Sequence, residues 1–164
     1  MFSSEISSRA SKVVSVYRAE NRKLVTAESC TGGLIAAALT DIPGSSAVLE
    51  RGFVTYSLDA KVEVLGVMPD VLAEYGAVSA RVAEDMAQGA LEFSRADVAI
   101  SATGIAGPEG GSAENPTGTV YFGLATRDNF LIHYKCVFPG DREAVRMHAV
   151  GEALKLLLSI TKHG

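Results

Sequence analysis

Apolar and polar positions along the chain follow helical and strand periods in alternation. Residues 3–21 predict an amphipathic helix, because apolar side chains recur every three or four positions on one face. Residues 24–27 and 98–102 are short apolar runs, which favour buried strands. Residues 34–39 predict a helix that is apolar nearly all round and is therefore expected to be buried.

The middle of the chain predicts one extended segment and three further helices. The extended segment covers residues 47–49 and 52–56, and the helices are placed at 57–66, 68–76 and 80–94. Glycine readily takes the left-handed conformation that ends helices, so Gly66 is expected to close the first of them. Ser79 is suited to cap the third helix. The inward face of that third helix is predicted to carry Val82, Met86, Ala90 and Phe93.

The last third of the chain predicts a hairpin and a long helix. Residues 119–126 and 130–138 have strand patterns, and the turn at 128–129 between them is typical of antiparallel pairing. Residues 139–141 are expected to cap a final helix. The core face of the first strand is predicted to carry Val120, Phe122 and Leu124. The core face of the helix is predicted to carry Val145, Ala149, Ala153, Leu156, Leu157 and Ile160.

This order of elements predicts the fold class. Helices that alternate with strands, together with one hairpin, indicate an α/β fold. The chain of 164 residues is long enough for one substantial core, so a single domain over 1–164 is expected. The predicted architecture is a mixed β-sheet flanked by helices, in three α/β/α layers.

Composition and charge narrow the classes of partner. Hydrophobic residues make up 48% of the chain, charged residues 21%, and the formal net charge is −4. This balance is typical of a globular protein and does not favour nucleic acid or an anionic membrane as a partner. No apolar run reaches the length of a membrane span, and the first residues do not resemble a signal peptide. The two cysteines are too few for a disulfide framework, so a cytoplasmic location with reduced thiols is expected.

Small polar residues follow the first predicted strand, where a helix begins. Ser29, Cys30 and Thr31 are followed by Gly32 and Gly33, which allow close approach of another group to the backbone. Unpaired amides at a helix start can stabilise an oxyanion, so a serine held there is a candidate nucleophile, and Thr31, Gly32 and Gly33 are candidate substrate-binding residues. The alternative is that Ser29 and Thr31 only cap the helix.

A glycine-rich loop over 104–118 follows the second buried strand. Ligands of open α/β sheets bind at the carboxyl ends of strands, and exposed glycine amides suit an anionic or carbonyl oxygen. The segment has neither the lysine of a P-loop nor the G-x-G-x-x-G dinucleotide pattern. A flexible surface loop is the alternative, but loops of this length in compact domains are usually functional or disordered. The glycines assigned to ligand binding are Gly104, Gly107, Gly110 and Gly111.

Two basic residues are candidates for chemistry and for substrate recognition. Lys61 lies in the first turn of a predicted helix, whose positive end lowers the pKa of an ammonium, so Lys61 is a candidate base for Ser29. The alternative for Lys61 is a solvated surface lysine. Arg142 begins the last helix and offers the planar fork that suits phosphate, with a salt bridge to a carboxylate as the alternative.

The remaining candidate ligands favour no metal site. His133, His148 and His163 lack metal-ligand spacing with other histidine, cysteine or acidic residues, so they are interpreted as structural or solvated. Cys30 is interpreted as a small buried residue. A cysteine hydrolase that uses Cys30 is a third, more remote hypothesis.

Taken together, these motifs resemble the CinA C-terminal domain family, whose members include nicotinamide mononucleotide deamidases. The resemblance covers nearly the whole chain in family order. It rests on A-E-S-C-T-G-G at 27–33, G-F-V-T-Y-S at 52–57 with A-K at 60–61, G-A-V-S at 76–79, T-G-I-A-G-P at 103–108 with G-G-S at 110–112, G-T-V at 118–120 and G-D-R at 140–142. Glu109 stands where family members often have glycine.

The resemblance implies a standalone amidohydrolase that converts nicotinamide mononucleotide to nicotinate mononucleotide and ammonia without a metal or cofactor. By position it implies Ser29 as nucleophile and Lys61 as its base, with Tyr56 and Thr103 in support and Arg142 at the site. A non-catalytic nucleotide-binding module is the alternative. The expected partner is a small nucleotide, and a homodimer or higher homo-oligomer is compatible with the sequence.

Overall fold

Five β-strands within residues 1–162, the part of the chain that the computed structural model describes, form one mixed sheet. The strands are β1 (Leu24–Glu28), β2 (Leu49–Val54), β3 (Val98–Gly104), β4 (Thr119–Thr126) and β5 (Leu131–Val137). Their spatial order is β2-β1-β3-β4-β5. β1 is parallel to β2 and β3, whereas β4 is antiparallel to both β3 and β5. The predicted hairpin of β4 and β5 is therefore confirmed.

Helices cover both faces of this sheet. They are α1 (Ser4–Ala19), α2 (Leu34–Thr40), α3 (Leu58–Leu65), α4 (Pro69–Tyr75), α5 (Ala80–Glu92) and α6 (Arg142–Ser159). The helices α1, α2 and α6 pack together on one face, and α3 and α4 pack with α5 on the other. The three-layer α/β/α architecture is confirmed.

Two apolar clusters, one on each face of the sheet, form the core. The larger cluster joins α1, α2 and α6 to side chains of β3 and β4, including Phe122 and Leu124, as the strand pattern predicts. Tyr17 of α1 is fully buried in it, and its hydroxyl donates to the Leu157 carbonyl of α6 at 2.7 Å. The smaller cluster packs α5 against β1 and β3 through residues such as Met86.

Several element boundaries differ from the predictions. Ala47 lies in a 3-10 turn rather than a strand. The helix α5 ends at Glu92, so Phe93, predicted to face the core, is 48% exposed. Ile160 lies just past the end of α6 and is only partly buried. The helix α2 has one buried face, with Ile35, Ala38 and Leu39 inside, and is not buried all round.

The three parallel strands end at the same edge of the sheet. The segments that follow β1, β2 and β3 there are residues 29–33, 55–57 and 105–118, which carry the motifs singled out in the sequence. The topology therefore gathers the candidate residues at the carboxyl edge of the sheet.

Within residues 1–162, none of the helices has the length and hydropathy that crossing a bilayer requires.

Candidate active site

The side chains of Ser29 and Lys61 meet in a buried position at this edge. Ser29 directly follows β1, and its amide donates to the Ala102 carbonyl of β3 at 2.9 Å. Lys61 Nζ lies 3.1 Å from Ser29 Oγ. The exposed fraction is 8% for Ser29 and 1% for Lys61. A hydroxyl and an amine at this distance can exchange a proton directly.

The surroundings of Lys61 suit a neutral amine. Nζ donates to the carbonyl of Thr55 at 2.8 Å and to the carbonyl of Tyr56 at 3.4 Å. Burial disfavours the ammonium and lowers the pKa of Lys61. The direction is the one expected from the sequence, but burial rather than the helix dipole is its main cause. A neutral amine has two hydrogens for the two carbonyls, and its lone pair is free to accept the hydroxyl hydrogen of Ser29.

Arg142, the first residue of α6, bridges two loops at the mouth of the site. One guanidinium nitrogen donates to the Gly107 carbonyl at 2.8 Å, and the other donates to the Tyr56 hydroxyl at 3.1 Å. Both acceptors are neutral, and among the described residues Arg142 forms no salt bridge. Its positive charge is therefore available to an anionic ligand.

These side chains line one cavity of about 260 Å³. It is lined by Ser29, Cys30, Tyr56, Lys61, Ala77, Val78, Thr103, Gly104, Ile105, Ala106, Gly107, Glu109 and Arg142. Thr103 is 1% exposed, and its hydroxyl donates to the Ala77 carbonyl at 2.8 Å, which holds the segment before α5 against the site. A larger cavity, of about 740 Å³, lies at the opposite edge of the sheet and contains none of the candidate residues.

Five residues assigned to ligand binding do not line this cavity: Thr31, Gly32, Gly33, Gly110 and Gly111. The Thr31 hydroxyl donates to a buried carboxylate, described below. Gly32 donates its amide to the Ser29 carbonyl at 3.0 Å and packs beside Arg146. Of the predicted set, the structure thus brings together Ser29, Tyr56, Lys61, Thr103, Gly104, Gly107 and Arg142.

The cysteine and histidine side chains considered as a nucleophile or as metal ligands have structural or surface positions. Cys30 is 6% exposed, and burial raises the pKa of its thiol to about 11, so the thiol is protonated and poorly nucleophilic at neutral pH. His133 pairs with Glu84 on the surface, and His148 packs against an aromatic ring. His163 lies outside the described residues. Among residues 1–162, no cluster of histidine, cysteine or acidic side chains is placed to hold a metal ion.

Two charged residues to which the sequence patterns assigned no role, Glu28 and Arg146, contact residues 29–33, here called the Ser29 turn. The Glu28 carboxylate, rather than the Ser29 or Thr31 hydroxyl, accepts from the Ile35 and Ala36 amides in the first turn of α2. Arg146 of α6 donates to carbonyls of the turn. The signal for Arg146 was its spacing of four from Arg142, which places both side chains on one face of the helix. The signal for Glu28 was a carboxylate just before a helix start.

A family model described as the CinA C-terminal domain matches residues 6–161. The chain belongs to the CinA C-terminal domain family. The resemblance drawn from the short motifs is therefore confirmed over nearly the whole sequence.

Individual proteins are similar to this chain over most of their length. The nicotinamide-nucleotide amidohydrolase PncC of Enterobacter agglomerans is 58% identical over 132 residues, which is 80% of each chain. PncC of Shigella flexneri is 50% identical over 157 residues, covering 96% of this chain and 95% of its own. Among solved structures, the competence/damage inducible protein CihA from Agrobacterium tumefaciens superimposes with a TM-score of 0.95 at 45% identity, covering 97% of each chain.

Proposed function

We propose that this chain hydrolyses the carboxamide of nicotinamide mononucleotide, with Ser29 as nucleophile and Lys61 as general base. The observation that carries the proposal is the buried contact of 3.1 Å between Lys61 Nζ and Ser29 Oγ on the wall of a cavity. The high identity to proteins named nicotinamide-nucleotide amidohydrolase supports the substrate and the reaction.

In the proposed reaction, the Ser29 oxygen attacks the carboxamide carbon while Lys61 accepts its proton. The tetrahedral intermediate collapses when Lys61 gives that proton to the amide nitrogen, the C–N bond breaks, and ammonia leaves an ester on Ser29. Water then attacks the ester, loses a proton to Lys61, and the Ser29 oxygen departs as the hydroxyl. The products are nicotinate mononucleotide and ammonia.

Backbone amides of the glycine-rich loop are the proposed oxyanion donors. The first amides of α2 are occupied, since Ile35 and Ala36 donate to Glu28. In contrast, among the described residues the amides of Ala106 and Gly107 have no acceptor, and both residues line the cavity. Preorganised amides stabilise developing negative charge without reorganisation. The Cys30 amide of the Ser29 turn likewise donates to no other described residue and Cys30 lines the cavity, so it is proposed as a second donor beside the loop.

The proposed reaction is tested by incubating the purified protein with nicotinamide mononucleotide and measuring both products. We expect ammonia and nicotinate mononucleotide in equal amounts without added metal. If the protein binds the nucleotide but releases no ammonia, the proposed amidohydrolase activity is wrong and the non-catalytic nucleotide-binding module is favoured. A cytoplasmic location and a homo-oligomeric state stay predictions from the sequence.

Arg142 is proposed to bind the 5′-phosphate of the substrate, because its charge at the cavity mouth faces only neutral partners. Charge-assisted hydrogen bonds contribute roughly 1.5–3 kcal/mol each. We therefore expect Arg142→Ala to lower kcat/KM for the nucleotide at least about tenfold. The weaker reaction of nicotinamide riboside, which has no phosphate, should scarcely change. Steady-state kinetics on both substrates measure the difference.

Arg142→Lys is the matched control, since it keeps the charge and loses the planar fork. It should retain part of the preference for the nucleotide over the riboside. An equal loss on the two substrates in Arg142→Ala would show that Arg142 acts through the loops that it bridges, at Gly107 and Tyr56, and that the phosphate is bound elsewhere.

A further inference from the structure

The Ser29 turn is held by charged side chains on both sides, and neither side chain lines the cavity. On one side is Glu28, the last residue of β1, and on the other is Arg146, one turn into α6. Side chains that hold a reactive group without touching the substrate act on the rate of the chemical step through geometry.

Glu28 ties the turn to α2 from inside the protein. Its side chain is fully buried, and Oε1 accepts from the Thr31 hydroxyl at 2.7 Å and from the Ile35 amide at 2.8 Å. Oε2 accepts from the Ala36 amide at 3.0 Å. The Glu28 carbonyl also accepts from the Thr55 amide at 2.9 Å, beside a carbonyl that binds Lys61. One residue thus links β1, α2 and the segment that holds the proposed base.

Arg146 holds the same turn from α6. Its Nε donates to the Cys30 carbonyl at 3.1 Å, and a terminal nitrogen donates to the Thr31 carbonyl at 3.4 Å. Gly32 has a φ of 60°, and a Cβ there would lie 3.3 Å from the guanidinium. A glycine at this point therefore leaves room for Arg146 to pack on the backbone.

Both sets of contacts converge on the backbone that carries Ser29. Ser29 has little freedom to shift, because the residues on either side of it, Glu28 and Cys30, are both held. Its own amide and carbonyl are bound as well, to Ala102 and Gly32. The 3.1 Å separation between Ser29 Oγ and Lys61 Nζ depends on this fixed backbone.

We propose that Glu28 and Arg146 are positioning residues, which together clamp the Ser29 turn so that the Ser29 hydroxyl stays within reach of Lys61. The proposal rests on the proposed function of Ser29. It separates the two arginines of α6 by role, since Arg142 faces the cavity mouth and Arg146 faces the backbone of the turn.

The test uses Glu28→Gln and Arg146→Ala in the full chain. Glutamine keeps the shape but presents an NH₂ to groups that all donate, so the turn must shift. Misplacement of a reacting group by about 1 Å can cost on the order of 100-fold in rate. We expect kcat for nicotinamide mononucleotide to fall about 10- to 100-fold, with KM changed less than about twofold because no substrate contact is lost.

Matched controls lie at the opposite edge of the sheet. The Asp97 carboxylate accepts from the Lys23 amide at 2.7 Å, so Asp97→Asn makes the same chemical change as Glu28→Gln. The Arg127 guanidinium donates to the carbonyls of Ala96, Leu91 and Ser94, so Arg127→Ala matches Arg146→Ala. Both controls should lower the melting temperature yet keep kcat. Arg146→Lys should recover part of kcat, since an amine can replace one of the two bonds.

A second readout separates this proposal from the proposed substrate. A fluorophosphonate reacts with an activated serine by attack on phosphorus and loss of fluoride, and mass spectrometry gives the labelling rate of Ser29. We expect slower labelling in Glu28→Gln and Arg146→Ala than in the wild type. If the probe labels Ser29 of the wild type but no ammonia is released, the proposed function is wrong. The labelling rates of the wild type and the two variants still test whether Glu28 and Arg146 position Ser29.

Three results would contradict the proposed positioning role of Glu28 and Arg146. The first is wild-type kcat and labelling in folded Arg146→Ala and Glu28→Gln. The second is a rise in KM with kcat unchanged, which would place the two residues in substrate binding. The third is an equal loss of kcat in the controls at Asp97 and Arg127, which would show only a general loss of stability. If Glu28→Gln does not fold, the comparison of Arg146→Ala, Arg146→Lys and Arg127→Ala decides the question.

Discussion

Ser29→Ala should abolish turnover of nicotinamide mononucleotide while the fold survives. Removal of a nucleophile that forms a covalent intermediate costs roughly 10⁴-fold or more in kcat. The lost hydroxyl contact to Lys61 is worth only about 1 kcal/mol of stability. The measurements are ammonia release under saturating substrate and the melting temperature of both proteins.

Cys30→Ser is the companion variant, because it changes the neighbouring side chain on the same turn. Its thiol is protonated at neutral pH and it contributes to the turn through its backbone carbonyl, so most activity should persist. A dead Cys30→Ser enzyme beside an active Ser29→Ala enzyme would assign the nucleophile to the cysteine and refute the serine mechanism.

The fold was largely predictable because its elements have clear periods and short connections. The strand β4 places Phe122 and Leu124 in the larger apolar cluster, as the sequence pattern predicts, and Gly66 ends α3 in the left-handed conformation that the sequence predicts. Errors fell where a pattern continues past a boundary. Phe93 keeps the helical spacing of α5 but follows its last residue, so the chain turns and the ring meets solvent.

The sequence singled out Ser29 and Lys61, which meet in the cavity, but it did not show the contacts that hold them there. Ser29 and Lys61 are 32 positions apart, and only the parallel pairing of β1 with β2 brings the segments after these strands together. The turn glycines were expected to face a ligand, since the sequence shows an open helix start. The structure places the Glu28 carboxylate there, and a sequence does not reveal which neighbour occupies a helix terminus.

The pKa of Lys61 also depends on contacts between distant segments that the sequence does not show. Its position in the first turn of α3 predicted a lowered pKa from the helix dipole, which is a local effect. The main cause is burial, which depends on distant segments that cover the amine. Local patterns can therefore give the right direction of a shift for an incomplete reason.

Lys61→Met should lower kcat by about 10² to 10⁴-fold at neutral pH, because it removes the proposed base and keeps the length of the side chain. Lys23→Met is the matched control, since Lys23 Nζ also donates to a backbone carbonyl, that of Ala47, far from Ser29. Its kcat should stay at the wild-type value. Near-normal turnover in Lys61→Met would transfer the role of base to another group, such as Tyr56 or water.

The lowered pKa of Lys61 also predicts two pH dependences. The neutral amine is the active form, so kcat/KM should rise with pH and level off below the ordinary lysine value of about 10.4. The unfolded chain binds the proton more tightly than the folded chain, so the Lys61 contribution to stability increases with pH between the lowered folded pKa and that ordinary value. Below this range the cost of burying the charge is complete. Urea unfolding across this range should therefore show wild-type stability rising relative to Lys61→Met, and parallel curves would contradict a buried, titrating amine.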